Sequence, residues 1–283
     1  MTDEPHTHVD YSDRQVEAAR RVIIDLGQVL GSFFADSIVI VGGWVPELLL
    51  PDAEEPHIGS IDVDLALDAQ KLQDGRYVEI VKSLLSTGRY EQTAQPFKLQ
   101  ATVDLKDGGP TLPVDVDFLK PVEARRKRRR ARLIEGFRPL DARGCAAAFQ
   151  QPKQITLSGH MIAGDENRVF VLVASVEDFL VMKAFALAGR DKPKDAYDIC
   201  YCLDHAPVGI EELANDWSQR RDDPLVAEAI TLLRDKFTSE RAFGPQQVVT
   251  FYDAPTDDER AMHARRAYEL VDRFLTLIEQ AES

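Results

Sequence analysis

The stretch Ser37-Ile-Val-Ile-Val-Gly-Gly-Trp-Val-Pro-Glu-Leu-Leu-Leu50, followed after an acidic loop by Ser60-Ile-Asp-Val-Asp-Leu-Ala-Leu67, sets the architecture of the first half of this chain. The β-branched run from Ser37 to Val41 reads as a buried strand. It stops at Gly42-Gly43, where the backbone can turn sharply. Trp44 to Leu50 then reads as one or two helical turns, ended by Pro51. Ile61 to Leu67 alternates residue types and predicts a second strand. Successive strand side chains face opposite ways, so Asp62 and Asp64 share one face while Ile61, Val63 and Leu65 line the other.

Working outward, Arg14 to Phe34 carries apolar residues at helical offsets (Val16, Ala19, Val22, Ile23, Leu26, Val29, Leu30, Phe33) and predicts an amphipathic helix. Tyr77 to Ser86 reads as a helix. Phe97–Leu105 and Leu112–Leu119 read as strands joined by the turn Asp107-Gly-Gly-Pro110. Val169 to Val173 is a further strand, after a loop-rich stretch with room for others. The second half changes character. Ser175-Val-Glu-Asp178 resembles a capping box opening a helix to about Ala188. Lys194–Leu203, Ile210–Gln219, Leu225–Lys236 and Asp257–Gln280 all show helical periodicity. The expected organisation is a flexible tail over 1–13, an α/β domain over 14–173 and a helical domain over 174–283. In class terms this is an α+β chain: a mixed sheet with flanking helices, followed by a helical C-terminal domain.

Composition agrees with a globular chain: 44% hydrophobic and 29% charged over 283 residues. No apolar run approaches the roughly 20 residues needed to cross a bilayer, so no membrane partner is expected. The acidic start, MTDEPHTHVDYSD, lacks the regions of a signal peptide. Cys145, Cys200 and Cys202 form neither a disulfide framework nor a zinc spacing. A cytoplasmic protein is the expectation. With 34 Lys+Arg against 48 Asp+Glu the formal charge is −14. Yet Arg125–Arg132, RRKRRRAR, holds seven cations in eight residues. An acidic body repels polyanions, so a phosphate-rich partner must approach through such local basic sites.

Val114-Asp115-Val-Asp117-Phe-Leu119 repeats the pattern of the Asp62–Asp64 strand. Two carboxylates side by side repel, and each raises the pKa of the other. A divalent cation removes that conflict, and hard oxygen ligands suit Mg²⁺, with Mn²⁺ as the alternative ion. If the second strand pairs beside the first, three carboxylates share one cluster. Two metal ions could then clamp the attacking and leaving oxygens of an in-line phosphoryl displacement. Gly42-Gly43, between a strand and a helix start, places backbone N–H groups where a phosphate is favoured. Ser60 can add a hydroxyl donor to the same triphosphate.

Strand, Gly-Gly, helix, then [Ser/Thr]-x-Asp-x-Asp and a later strand carboxylate resembles the DNA polymerase β-type nucleotidyltransferase superfamily. Val181-Met-Lys183-Ala-Phe185 followed by Lys194-Asp195-Ala-Tyr197-Asp198-Ile199 resembles the Lys and (Arg/Lys)-Asp-x-Tyr-Asp motifs of the AbiEii toxin family, which includes the MenT toxins of toxin–antitoxin systems. The resemblance covers roughly residues 37–203. It implies the nucleotidyltransferase fold, NTP (ATP among the candidates) and Mg²⁺ as substrates, transfer of a nucleotide with release of pyrophosphate, RNA such as tRNA as acceptor, and an antitoxin partner. Carried over by position, Asp62 and Asp64 would be metal ligands and Ser60 a triphosphate contact. Asp117 would be the third carboxylate, with Asp115 as the alternative, and also the nearest base. Lys183 and Asp195 would be the Lys and Asp of the helical lobe, Lys183 offsetting charge on the leaving pyrophosphate. The sequence departs from the family at Trp44, where many relatives carry a small or hydroxylated residue.

Helices breaking at Gly189-Arg-Asp-Lys-Pro193 can fold back as a hairpin, bringing Lys183 near Asp195 and Asp198, with Arg190, Lys192 and Lys194 at its tip. This tip and the run Arg125–Arg132, read as helical, are the candidate RNA contacts. For Lys183 the structural alternative is a Lys–Asp salt bridge. His57 reads as a loop histidine and Trp217 as core. Two rival functions are a small-molecule adenylyltransferase of the aminoglycoside type, which an acidic surface suits, and a catalytically silent binding protein with a retained fold.

Overall fold

The computed structural model describes residues 5–68, 71–72, 76–122 and 137–281. The arginine run 125–132 therefore lies outside the described residues, and with it the expected helix there. The chain divides into two compact units: a sheet unit, Ser12–Val45 with Gly59–Ser175, and a helical unit, residues 5–11 and Pro46–Ile58 with Val176 onward.

The sheet unit opens with α1 (Asp13–Val29), capped reciprocally by Ser12 and Gln15. It ends five residues before the expected stop. Leu30 and Phe34 nonetheless stay buried, in the turns that follow. Next come β1 (Ile38–Val41), the start of α2 (Trp44–Leu49), β2 (Val63–Leu67) and α3 (Arg76–Ser86). β3 (Tyr90–Gln92), β4 (Lys98–Val103) and β5 (Leu112–Pro121) follow, then β6 (Leu140–Ala142), β7 (Lys153–His160) and β8 (Glu166–Val173). The sheet order is β3-β4-β5-β2-β1-β8-β7, with β6 attached to β5. It is mixed: β1–β2, β3–β4, β4–β5 and β7–β8 run antiparallel, while β2–β5, β1–β8 and β5–β6 run parallel.

Every residue of β1 is buried, and so are Val63, Leu65, Ala66 and Leu67 of β2. β5 alternates: Val114, Val116 and Phe118 are buried while Asp115 and Asp117 are half-buried on the opposite face. α1 packs its apolar stripe on β4, β5, β7 and β8. Its Gly27 lies so close to β8 that a Cβ there would meet Val169 at 2.7 Å.

The helical unit holds α4 (Val176–Gly189), α5 (Pro193–His205), α6 (Gly209–Gln219), α7 (Pro224–Lys236), α8 (Phe243–Tyr252) and α9 (Asp257–Gln280). Its core includes Phe179, Trp217, Phe251 and Phe274, and the Trp217 indole donates to the Glu177 carbonyl. The sequence reading does not contain α8, a helix whose Phe-Gly-Pro start and broad apolar face blur the 3.6-residue period. Asp178, read as the end of a capping box, is buried and holds the Arg220 guanidinium.

Two segments group with the helical unit rather than where local sequence put them. Residues 5–11, within the tail expected over 1–13, are anchored there: His8 takes its ring nitrogen to the Phe251 carbonyl, and Tyr11 is buried against the Phe251 ring. An aromatic anchor on α8, invisible in local composition, supplies the reason. Likewise the segment 46–58, expected within the α/β domain, belongs to the helical unit, where the Tyr201 hydroxyl donates to the Glu55 carbonyl.

Candidate active site

In the sheet unit, parallel pairing of β2 with β5 puts Asp64 directly opposite Asp117. Antiparallel pairing of β4 with β5 puts Lys98 opposite Asp117 and Gln100 opposite Asp115. Directly opposed residues share a face, so Lys98, Asp117 and Asp64 form a row across three neighbouring strands. Val41, the last residue of β1, continues the row and leads into Gly42. Asp62 stands one residue before β2 begins, in a bend, so it is not a strand residue as the alternation suggested.

Two contacts fix that bend. The buried Trp44 indole donates to the Asp62 carbonyl at 2.8 Å, and the Ser60 hydroxyl donates to Asp62 Oδ1 at 2.7 Å. Trp44 thus anchors the segment that carries the first carboxylate. Gly42 has φ +70°, and a Cβ on it would fall 2.0 Å from Asp64 Oδ2. Only glycine lets this backbone approach the carboxylate. α2 itself is six residues long, so its dipole adds little for a phosphate.

The two carboxylates of β5 differ. Asp115 has both oxygens engaged, one by the Lys98 ammonium at 2.6 Å and the other by the Gln100 amide at 2.8 Å. Asp117 Oδ1 is buried with no hydrogen-bond donor, and the Lys98 Nζ stands 3.6 Å away. Burial first, and then the Asp64 charge, push the Asp117 carboxyl up to about 8, with Lys98 offsetting part of the rise. The Lys98 ammonium loses by burial but is raised on balance by Asp115 and Asp117.

As they stand, no three His, Cys, Asp or Glu side chains among the described residues are gathered into a cluster that could hold a metal ion. The donor chemistry nonetheless fits a hard divalent cation. Asp64 and Asp117 oppose one another, and Asp117 keeps a buried oxygen that no donor satisfies.

In the helical unit, the α4–α5 hairpin brings the Lys and Asp motifs together. The Lys183 ammonium lies 2.7 Å from both Asp195 Oδ1 and Asp198 Oδ2 and is only 7% exposed. Arg190 also reaches Asp195, at 2.7 Å. Lys194 lies one helical turn before Asp198, meets its Oδ1 at 2.7 Å and is buried, close to the Tyr11 and Tyr197 rings. Lys194 is thus withdrawn from the surface on which the hairpin tip was expected to meet RNA. Burial disfavours every charge here, yet the opposing partners hold Asp195 below and Asp198 well below the usual carboxylate range, and Lys183 above that of lysine. Lys194, where burial wins, is lowered.

His57 completes the cluster. It sits in a loop, as expected, but its ring is buried, stacks on Tyr197 and donates from Nε2 to Asp198 Oδ1 at 3.0 Å. Burial, then the Lys194 charge, push it down to about 4, against the pull of Asp198. An unfolded chain takes up this proton near pH 6.5 and the folded chain only near 4, so stability is full above pH 6.5 and drains as pH falls through that window. The loss is expected to approach about 3 kcal/mol at pH 4. Thermal unfolding from pH 7 to 4 checks it: His57→Gln should show a shallower decline than the parent, and equal slopes would refute the assignment.

The sequence profile of the AbiEii family, described as a nucleotidyl transferase toxin of type IV toxin–antitoxin systems, matches residues 59–275. The chain belongs to the AbiEii family. It is therefore a nucleotidyltransferase, and toxins of this family work within systems that include an antitoxin. The match takes in Ser60, both carboxylate pairs and the α4–α5 motifs, and begins after the Gly42-Gly43 turn. No curated protein matches the chain. Among solved structures, JHP933 from Helicobacter pylori is similar over 96% of each chain at 11% identity, with a TM-score of 0.41. A candidate nucleotidyltransferase from H. pylori is similar over 96% of this chain and 99% of its own, at 12% identity and a TM-score of 0.45. No described helix of this AbiEii chain is long and apolar enough to cross a membrane.

Lys98, Gln100 and the burial of His57 are absent from the sequence reading. The signal for Lys98 was latent in the Asp107–Pro110 turn: once the β4–β5 register is known, Lys98 falls opposite Asp117. A turn motif alone leaves that register open.

Proposed function

We propose that this AbiEii chain transfers a nucleoside monophosphate from an NTP to RNA, with tRNA the favoured acceptor, in a reaction that requires Mg²⁺ or Mn²⁺. The observation that carries this is the Asp64–Asp117 pair, opposed across neighbouring strands, with one buried oxygen that lacks a donor. Asp62, Asp64 and Asp117 would hold the metal. Asp115, with both oxygens engaged by Lys98 and Gln100, stands outside that set.

The acceptor hydroxyl attacks the α-phosphorus, a new O–P bond forms, the bond to the β-phosphate oxygen breaks, and pyrophosphate leaves. When bound, the divalent ion supplies charge neutralisation at the phosphates and acidifies the attacking hydroxyl. Ser60 and Trp44 hold the Asp62 bend in place, and Gly42 lets the turn close against Asp64. Asp117 is the nearest group to accept the hydroxyl proton. Ser60 and the Gly42-Gly43 N–H groups are proposed contacts for the triphosphate, and Lys183 with Asp195 for the helical part of the machinery. RNA is favoured because seven cations follow directly on the strand that carries Asp117, in an otherwise acidic chain.

The test is incubation of the purified chain with each α-³²P-labelled NTP and either total tRNA or an aminoglycoside, with Mg²⁺ or with chelator. Label entering RNA only with the metal is the expected result. Label entering a cationic small molecule such as an aminoglycoside, and never RNA, would transfer the assignment to that acceptor class; no label in either would overturn both acceptor readings.

A further inference from the structure

Lys98 places a positive charge inside the carboxylate row, and no step above uses it. It opens β4, and its ammonium is held at 2.6 Å by Asp115, whose other oxygen the Gln100 amide engages. From there the Nζ stands 3.6 Å from the donor-less oxygen of Asp117, and Asp62 and Asp64 complete the local negative charge. Facing carboxylates on adjacent strands repel strongly when partly desolvated, and a cation within 4 Å relieves that repulsion. A lysine fixed there serves the metal-free protein as a divalent ion would serve the loaded one.

We propose that Lys98 is a positioning residue of the transfer site: pinned by Asp115 and Gln100, it neutralises the row while nucleotide is absent, keeps Asp115 out of the metal shell, and restrains metal uptake until the triphosphate brings its own negative charge. This rests on the metal-dependent reading above. It follows that the metal-free protein binds a divalent ion weakly and that nucleotide and metal enter together.

The experiment follows Mn²⁺ binding to the full chain by the paramagnetic resonance of the free ion, without nucleotide. Lys98→Met should bind Mn²⁺ about tenfold more tightly than the parent, the effect of removing one competing charge near 4 Å in a half-buried site. Lys98→Arg, which keeps the charge, should stay at the parental value. A non-hydrolysable NTP should tighten Mn²⁺ binding in the parent far more than in Lys98→Met. Circular dichroism verifies folding, and Lys98→Gln replaces Lys98→Met should the latter unfold. Unchanged or weaker binding by the charge-free variant, while Asp64→Asn abolishes parental binding, overturns the role of Lys98 and leaves the metal reading intact. Absence of Mn²⁺ binding to parent and variant alike, even with nucleotide, overturns both.

Discussion

An Asp64→Asn chain should lose nucleotidyl transfer by about a hundred- to a thousandfold in kcat/KM while melting no lower than its parent. The first half of this expectation follows from the proposed metal shell, where Asp64 faces Asp117 on the neighbouring strand. The second follows from electrostatics in the metal-free protein. Asp117 is pushed up to about 8 by burial and then by the Asp64 charge, so at neutral pH the fold must hold this carboxyl protonated where an unfolded chain would ionise it, a cost to stability. Neutralising Asp64 removes part of that cost, a trade of stability for activity common at functional sites. Relief of about 1 kcal/mol corresponds to about 2–4 °C in a chain of this size. Calorimetry in chelator, set beside incorporation of labelled NTP, reads both halves. An inactive variant that also melts well below the parent would show that Asp64 supports the fold rather than the reaction.

The second large effect is expected at Lys183. Its ammonium bridges two buried carboxylates at 2.7 Å each, so Lys183→Met leaves Asp195 and Asp198 with less compensation in a site nearly closed to water. Breaking such a buried pair costs about 3–5 kcal/mol. Arg190, Lys194 and His57 remain as partners of the two carboxylates, which places this case at the lower end. Denaturant unfolding should show the loss, and Asp198→Asn added to Lys183→Met should restore part of it, because the orphaned charge is then gone. If Lys183→Met keeps the parental stability and loses only transfer, the ammonium acts on the nucleotide, as the family resemblance implies, and not as a structural bridge.

Much of this was legible in the residues. The β-branched run 37–41, the glycine pair and the alternations in 61–67 and 112–119 are local signals, and β1, β2 and β5 form on them, β2 beginning two residues later than the alternation suggests. Periodicity likewise marks α1, α5–α7 and α9, because one buried stripe repeating every three to four residues leaves a trace in the sequence, while α4 is announced by its capping-box start. The motif that places Lys183 twelve residues before Asp195, across a Gly-to-Pro break, was enough to anticipate their meeting. Other features carry no local trace. Tyr11 is held by Phe251, two hundred and forty residues on. His57 reads only as a loop histidine in an acidic stretch, yet it is buried because Asp198 and the Tyr197 ring wait for it.

By itself, then, the order of residue types determined which segments become strands and helices, which carboxylates can share a face, and the family to which they belong. Tertiary structure alone decided that Asp117 lies against Asp64 while Asp115 is claimed by Lys98 and Gln100. Sequence spacing sets the side of a strand on which a residue emerges; register and strand order set its neighbour, and these come from the packing of the whole sheet.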